Sequence, residues 1–258
     1  MRTIILLLLS ITMWSSSCET PPKKEDKITG NLAITFKARY GADPLILFQQ
    51  TATGQSNPTN ILFKKLDFFI SDIKGVNAGT KTDFADVGYI SMVNSITQQA
   101  AEEGTTFTIN DLPVGSYTAL DLGIGLSDAI NNTTPGDYNS DSPLGLNGNH
   151  WASWNSYILC KLEGDITQSN GTTSGFLYHS GVNGMHQLLS FAKNYDIEAN
   201  QTTEITVYVD AKDIFFKTGS EIDMVTDKQT HSGAVGSADY NLAKKVIENL
   251  AAAMTIQS

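Results

Sequence analysis

Glu204-Ile205-Thr206-Val207-Tyr208-Val209-Asp210 alternates apolar and polar side chains with a period of two, and β-branched residues hold the apolar positions. That period places one face of an extended strand in a core and the other toward water, and no helix satisfies it. The same signature recurs along the chain. Leu32, Ile34 and Phe36 mark a first strand, and Leu62, Leu66, Phe68 and Ile70 share one parity in a second that runs to Ile73. Phe107 and Ile109 mark another, closed by the turn residues of Asn110-Asp111-Leu112-Pro113-Val114-Gly115. Tyr117–Leu126, Tyr157–Leu162, Gly175–His179 and Leu188–Phe191 read as further strands. Strands separated by turn signals predict a mostly-β fold, an antiparallel β-sandwich. One segment has the other period: Ser237 caps a helix, and Leu242, Val246 and Leu250 follow at spacings of four. This C-terminal helix is expected to lay one apolar stripe on the sheets.

The N-terminus has a different purpose. Met1-Arg2-Thr3 precedes the apolar run Ile4–Leu9, and Ser15-Ser16-Ser17 precedes Cys18. A basic start, a short apolar stretch and small residues before a cleavage point make a secretory signal. The apolar stretch is too short to persist as a membrane helix. Small residues directly before a cysteine resemble a bacterial lipobox. Residues 1–17 are therefore expected to be a lipoprotein signal peptide, with Cys18 the acylated first residue of the mature chain. Its lipid would hold the exported protein to the bacterial outer membrane, on the periplasmic or the cell-surface side. The alternative is ordinary signal cleavage near Ser17, with Cys18 an incidental thiol. Residues 18–27 are charged and Pro-containing with almost no apolar side chain, which predicts a disordered tether. The folded domain is expected over 28–258.

Composition excludes several functions. A net charge of −10 opposes nucleic-acid binding, which needs a basic surface. Of the two cysteines, lipidation of Cys18 leaves Cys160 without an intrachain partner. Cys160 lies in the apolar run Tyr157–Leu162 and reads as buried filler, with metal ligation the alternative. The chain has no Gly-x-Ser-x-Gly elbow, no His-Glu-x-x-His and no phosphate-cradling loop, so an enzyme is not expected. Glu102-Glu103 are adjacent and would face opposite ways in a strand.

The scarce residues are informative. Beyond the signal peptide the tryptophans are Trp151 and Trp154, and the chain's four histidines are His150, His179, His186 and His231. Imidazole is the commonest ligand for copper and zinc, and loops from distant strands gather at one end of a sandwich. Satisfaction by ordinary hydrogen bonds is the alternative for each. His186 with Met185 and His179 could form a soft copper site, or His186 could be surface or hydrogen-bonded. The long turn-rich stretch Asn131–Asn149 leads into His150-Trp151. Asp137, Asn139 and Asp141 in it alternate oxygen ligands as calcium loops do, but Ser142 stands where an EF-hand has Gly and Gly148 where it has Glu. A looser calcium site is the reading left open.

Leu66–Ile73, Leu122–Leu126, Asp141-Ser142-Pro143-Leu144-Gly145, Trp151–Gly164, Phe176–Gly181 and Thr230-His231-Ser232, in that order, resemble the MbnP-like family, the methanobactin-associated copper-binding proteins. The resemblance covers Ile28 to the C-terminus. It implies an exported protein that sequesters or relays copper, as Cu(I) or Cu(II). In some members a partner di-haem enzyme of the cytochrome c peroxidase type oxidises a tryptophan to kynurenine, whose aromatic amine joins imidazoles on the metal. The resemblance implies Trp151 as the modified residue and His179 and His231 as ligands, with His150 added by adjacency. Pairing of neutral imidazole with metal would also let acid release the ion. This chain departs from the family's Trp-x-Trp-Asn-Ser-Gly-Tyr: it reads Trp151-Ala152-Ser153-Trp154-Asn155-Ser156-Tyr157. Trp151 keeps its spacing to Tyr157, while Trp154 has slipped by one, which in a strand would turn it to the opposite face. The competing expectation is a surface lipoprotein that binds carbohydrate or protein through an open aromatic face of Trp151 and Trp154, without metal.

Overall fold

A computed structural model describes residues 28–230 and 233–257. The expected signal peptide, Cys18, the tether and His231 lie outside the described residues. In chain order the elements are β1 (Thr29–Tyr40), β2 (Asp43–Pro44), β3 (Gln50–Ala52), β4 (Asn60–Asn77), β5 (Thr80–Ser91), α1 (Gln98–Glu103), β6 (Thr105–Pro113), β7 (Gly115–Ile124) and α2 (Asp128–Asn131). They continue with β8 (His150–Trp151), β9 (Ser156–Tyr157), β10 (Cys160–Thr167), β11 (Thr173–Ser180), β12 (Gln187–Ile197), β13 (Thr202–Asp210), α3 (Ala211–Phe216), β14 (Gln229–Thr230), α4 (Ala238–Ala252) and β15 (Met254–Ile256).

One sheet has the order β15-β13-β1-β2, with β6 also on β1; the second runs β12-β7-β4-β10-β11-β14, with β3 and β5 also on β4. Their inner faces meet: the ring of Phe36 on β1 stands edge-on to that of Phe68 on β4 at 5.7 Å. Both side chains are fully buried, and truncating such an aromatic to Ala typically costs about 3–5 kcal/mol. The mostly-β fold with a C-terminal helix is as expected. The sheets, however, are mixed rather than wholly antiparallel. β1 pairs with β13 in parallel, Ile34 opposite Ile205 and Phe36 opposite Val207, and β14 is parallel to β11. Each strand's alternation shows which face is buried; it carries nothing about the direction of the neighbour.

β4 departs from its predicted parity. Ile61 and Phe63 are buried and Leu62 is only half-buried, whereas Leu66 and Phe68 are again fully buried. Opposite β10 the register steps from Lys65↔Glu163 to Phe63↔Gly164, so Lys64 is an extra residue and the inward set changes parity across it. Gly164 is required there: a Cβ would be driven into Leu62 O and the Phe176 ring. From Leu66 to Ser71 every residue is buried, because both faces of the sheet are covered.

α4 begins where expected. Ser237 Oγ accepts from Tyr240 N at 3.2 Å as its N-cap. The buried stripe is Ala243, Val246, Ile247 and Leu250, with Leu242 at its margin. It packs on β11, where Ser180 Oγ donates to Ala243 O at 2.6 Å. No helix of the described residues is long and apolar enough to cross a membrane.

Candidate metal centre

β10 and β11 present two kinds of side chain. Cys160, Leu162 and Tyr178 face the core, so by alternation Lys161, Glu163, Leu177 and His179 share the outer face. Register sets Lys161 opposite His179 on one side and opposite Asp67 of β4 on the other; Glu163 stands opposite Leu177 and Lys65. An outward strand face normally meets water, yet Lys161, Asp67 and His179 are all buried. The cover is the long segment between β7 and β10.

That cover is packed into the hydrophobic core through Leu144 and Tyr157. Tyr157 is fully buried and stands edge-on to Phe69 at 5.8 Å, and Phe69 contacts Tyr89 at 4.9 Å. Tyr157 Oη donates to Leu144 O at 2.9 Å, and Tyr157 N donates to Asn131 Oδ1 at 3.0 Å. Lys161 Nζ reaches up and donates to Gly148 O at 2.7 Å and to Asn149 Oδ1 at 2.8 Å. Burial holds the Lys161 ammonium below its ordinary pKa, with Asp67 opposing that shift. Asp67 is itself occupied by Ser91 Oγ at 2.6 Å and Tyr89 Oη at 3.2 Å.

The segment pinned at Gly148 and Asn149 continues directly into β8, which pairs with β9 as His150↔Tyr157 and Trp151↔Ser156. Neighbouring residues of a ribbon face opposite ways. His150 accordingly turns to Tyr157, ring to ring at 5.1 Å, and its Nε2 is buried with no hydrogen-bond partner among the described residues. Trp151 turns the other way, to His179, at 6.3 Å and 66°. The expected pair Trp151 and His179 is thus brought together, while His150 faces away from Trp151.

Trp154 does not follow the alternation expected of it. It lies in the turn Ala152–Asn155, where Trp154 N donates to Trp151 O at 3.0 Å and Asn155 adopts φ 51°. A turn residue is not bound by the two-residue period of a strand. Its indole folds back and stacks on Trp151, centroids 5.0 Å apart and planes 16° off parallel. It rests over Gly181, where a Cβ would come within 2.7 Å of the ring. The two half-buried indoles cover one another rather than lying side by side as an open platform.

The chemistry of His179 is set by its neighbours. Nε2 lies 2.9 Å from Glu163 Oε1, and Lys65 Nζ lies 3.6 Å from the same oxygen. Burial would raise the Glu163 pKa, but the His179 hydrogen bond and Lys65 outweigh it and hold the carboxyl below its ordinary range. Burial also lowers the His179 pKa, against the pull of Glu163, with Lys161 and Lys65 adding to the lowering. The consistent protonation is an ionised carboxylate and a neutral imidazole. Thr230 ties down the backbone: His179 N donates to Thr230 Oγ1 at 3.1 Å, and that hydroxyl donates to His179 O at 2.7 Å. His231 is the next residue in the sequence. Among the described residues, no group of three or more His, Cys, Asp or Glu side chains is placed to hold a metal. The described side chains that meet here are one imidazole, a ligand type that copper and zinc accept, and one indole, whose ring nitrogen carries a proton and offers no lone pair to a metal.

The remaining residues have ordinary partners. Ser71 Oγ donates to Gly125 O at 2.9 Å, so it accepts from His186 Nε2 at 3.0 Å, and Asp72 Oδ2 is 3.6 Å away. His186 therefore takes the hydrogen-bonded role, and Met185 is core. Cys160 is fully buried, and burial pushes its thiol up to about 11, as expected of filler. Asp137 Oδ2 accepts from Thr134 N at 2.8 Å, capping a short 3₁₀ turn. Sequence reasoning had assigned no role to Glu163, Lys161 or Thr230. The available signal was charge at alternate positions of an otherwise apolar strand, Lys161 and Glu163 between Cys160, Leu162 and Gly164.

A family model described as MbnP matches residues 29–235. Among solved structures, MbnP from Methylosinus trichosporium is similar, with TM-score 0.50 and 15% identity over 81% of this chain and 83% of that one. At that identity the likeness is one of fold. No curated protein matches.

Proposed function

The chain belongs to the MbnP family, and on that premise we propose that it is an exported, lipid-anchored copper-binding protein that sequesters or relays the ion. The observation that carries this reading is the convergence of Trp151 and His179 at 6.3 Å from stretches 28 positions apart, Trp151 carried by the covering segment and His179 by the strand beneath it. His179 supplies one imidazole. His231 supplies a second, from the stretch that Thr230 joins to the His179 backbone. Trp151 contributes its indole as an aromatic wall beside the ion or, after oxidation, the aromatic amine of kynurenine as a ligand. In that conversion a four-electron oxidation, two equivalents of peroxide going to water, cleaves the indole C2–C3 double bond, so that C3 becomes a ketone and C2 an N-formyl carbon; hydrolysis then releases C2 as formate and leaves the ring nitrogen a primary amine. The oxidising equivalents come from a partner di-haem enzyme of the cytochrome c peroxidase type acting with peroxide. Cys18 carries the lipid, and residues 19–27 are the tether between membrane and domain.

The test is metal analysis and intact mass of protein purified from its native host, which retains any modifying enzyme. About one equivalent of copper, lost in His179→Ala, together with a mass change at Trp151 matching ring opening, is the expected result. Copper far below one equivalent and indifferent to His179→Ala overturns the metal reading. Copper retained with an unmodified Trp151 overturns only the oxidation.

A further inference from the structure

We propose that Glu163 is a positioning residue that fixes His179 as an Nδ1 donor to copper; this rests on the copper reading above. A neutral imidazole has one N–H, and an ionised carboxylate can only accept. With Nε2 at 2.9 Å from Glu163 Oε1, the proton resides on Nε2 and the lone pair on Nδ1. Of the two ring nitrogens, Nδ1 is then the one whose lone pair is chemically able to bind a metal.

The carboxylate is itself held from the far side. Glu163 stands opposite Lys65 on β4 and diagonally across from His179 on β11, so one oxygen meets Lys65 Nζ at 3.6 Å and His179 Nε2 at 2.9 Å. Lys65, Glu163 and His179 thus form a row across three hydrogen-bonded strands. The imidazole ring cannot rotate without breaking that row. Such a carboxylate behind a ligating histidine fixes ring orientation and increases donor strength, and its loss typically lowers metal affinity about 10–100-fold.

The test uses the purified, ¹⁵N-histidine-labelled protein, metal-free and then titrated with Cu(I) against a chromophoric competitor. In the metal-free protein the His179 Nε2 should carry the proton and Nδ1 should not; on Cu(I) addition the Nδ1 resonance should move. Glu163→Leu should weaken Cu(I) binding about 10–100-fold and mix the two tautomers. Glu163→Gln, which keeps an acceptor oxygen, should restore the Nε2–H tautomer and most of the affinity. A purely structural role would show as equal loss in both variants with no change of tautomer. The inference is overturned if Cu(I) shifts Nε2 instead, or if Glu163→Leu binds about as tightly as the parent. A parent protein that takes up no Cu(I) overturns the copper reading itself, while the metal-free tautomer still judges whether Glu163 orients the ring.

Discussion

Replacing Lys161 with Met removes the ammonium that pins the covering segment while keeping most of the buried stem. Two hydrogen bonds are lost, to Gly148 O at 2.7 Å and Asn149 Oδ1 at 2.8 Å. They are not equivalent: Gly148 is exposed and its carbonyl can turn to water, whereas Asn149 is buried. A net worth of about 1 kcal/mol per bond, with about 1 kcal/mol more for the stranded Asn149 oxygen, gives about 3 kcal/mol. Against this, the variant no longer buries a charge, a burden visible in the lowered Lys161 pKa; about 1 kcal/mol is a reasonable offset. The net expectation is a loss of about 2 kcal/mol in urea denaturation, or about 4–8 °C in Tm for a domain of this size. Limited proteolysis should also cut faster between Asp137 and Asn149, since the pin joins that stretch to β10. A pH signature accompanies it. The folded pKa lies below the unfolded value of about 10.4, so between the two the unfolded chain binds the extra proton and stability rises with pH. The parent should gain on Lys161→Met across that alkaline window. A Tm within about 1 °C of the parent and an unchanged cleavage rate would refute the pinning role.

Three further outcomes follow from the same geometry. Gly181→Ala should push Trp154 off its seat, because the new methyl lies 2.7 Å from the indole and 3.0 Å from Tyr157 O; the exciton couplet of the stacked tryptophans in circular dichroism should collapse, and its persistence would mean the stack does not depend on Gly181. Gly164→Ala should cost about 3 kcal/mol or more in denaturant unfolding, since the methyl meets backbone oxygen as well as Phe176; a loss below about 1 kcal/mol would show that the bulge at Lys64 can relax. Burial lowers the His186 pKa, outweighing Asp72 and Asp128, so the unfolded chain protonates first and stability falls as pH drops from about 6.5 toward the lower folded value. His186→Gln should flatten part of that fall between pH 7 and pH 5, and an identical slope in the variant would assign the acid sensitivity elsewhere.

The strands at β1, β6, β7, β11 and β13 and the helix at α4 were legible because their signals are local. Alternation at Leu32, Ile34 and Phe36, or at Ile205, Val207 and Val209, is imposed by the pleat of one strand against one core. The Ser237 cap requires only the backbone three residues on. Trp151 and His179 were legible as scarce residues whose chemistry suits a metal, and family resemblance put them in one site. Tertiary structure alone decided the rest. The parity change at Lys64 exists because β10 offers one residue fewer there. The parallel pairing of β1 with β13 joins stretches about 170 positions apart, beyond the reach of any local pattern. The burial of Lys161, Asp67 and His179 on an outward face depends on a covering segment whose contacts are long-range. A side chain's period is written in its neighbours along the chain; what lies across from it depends on how distant segments close upon one another.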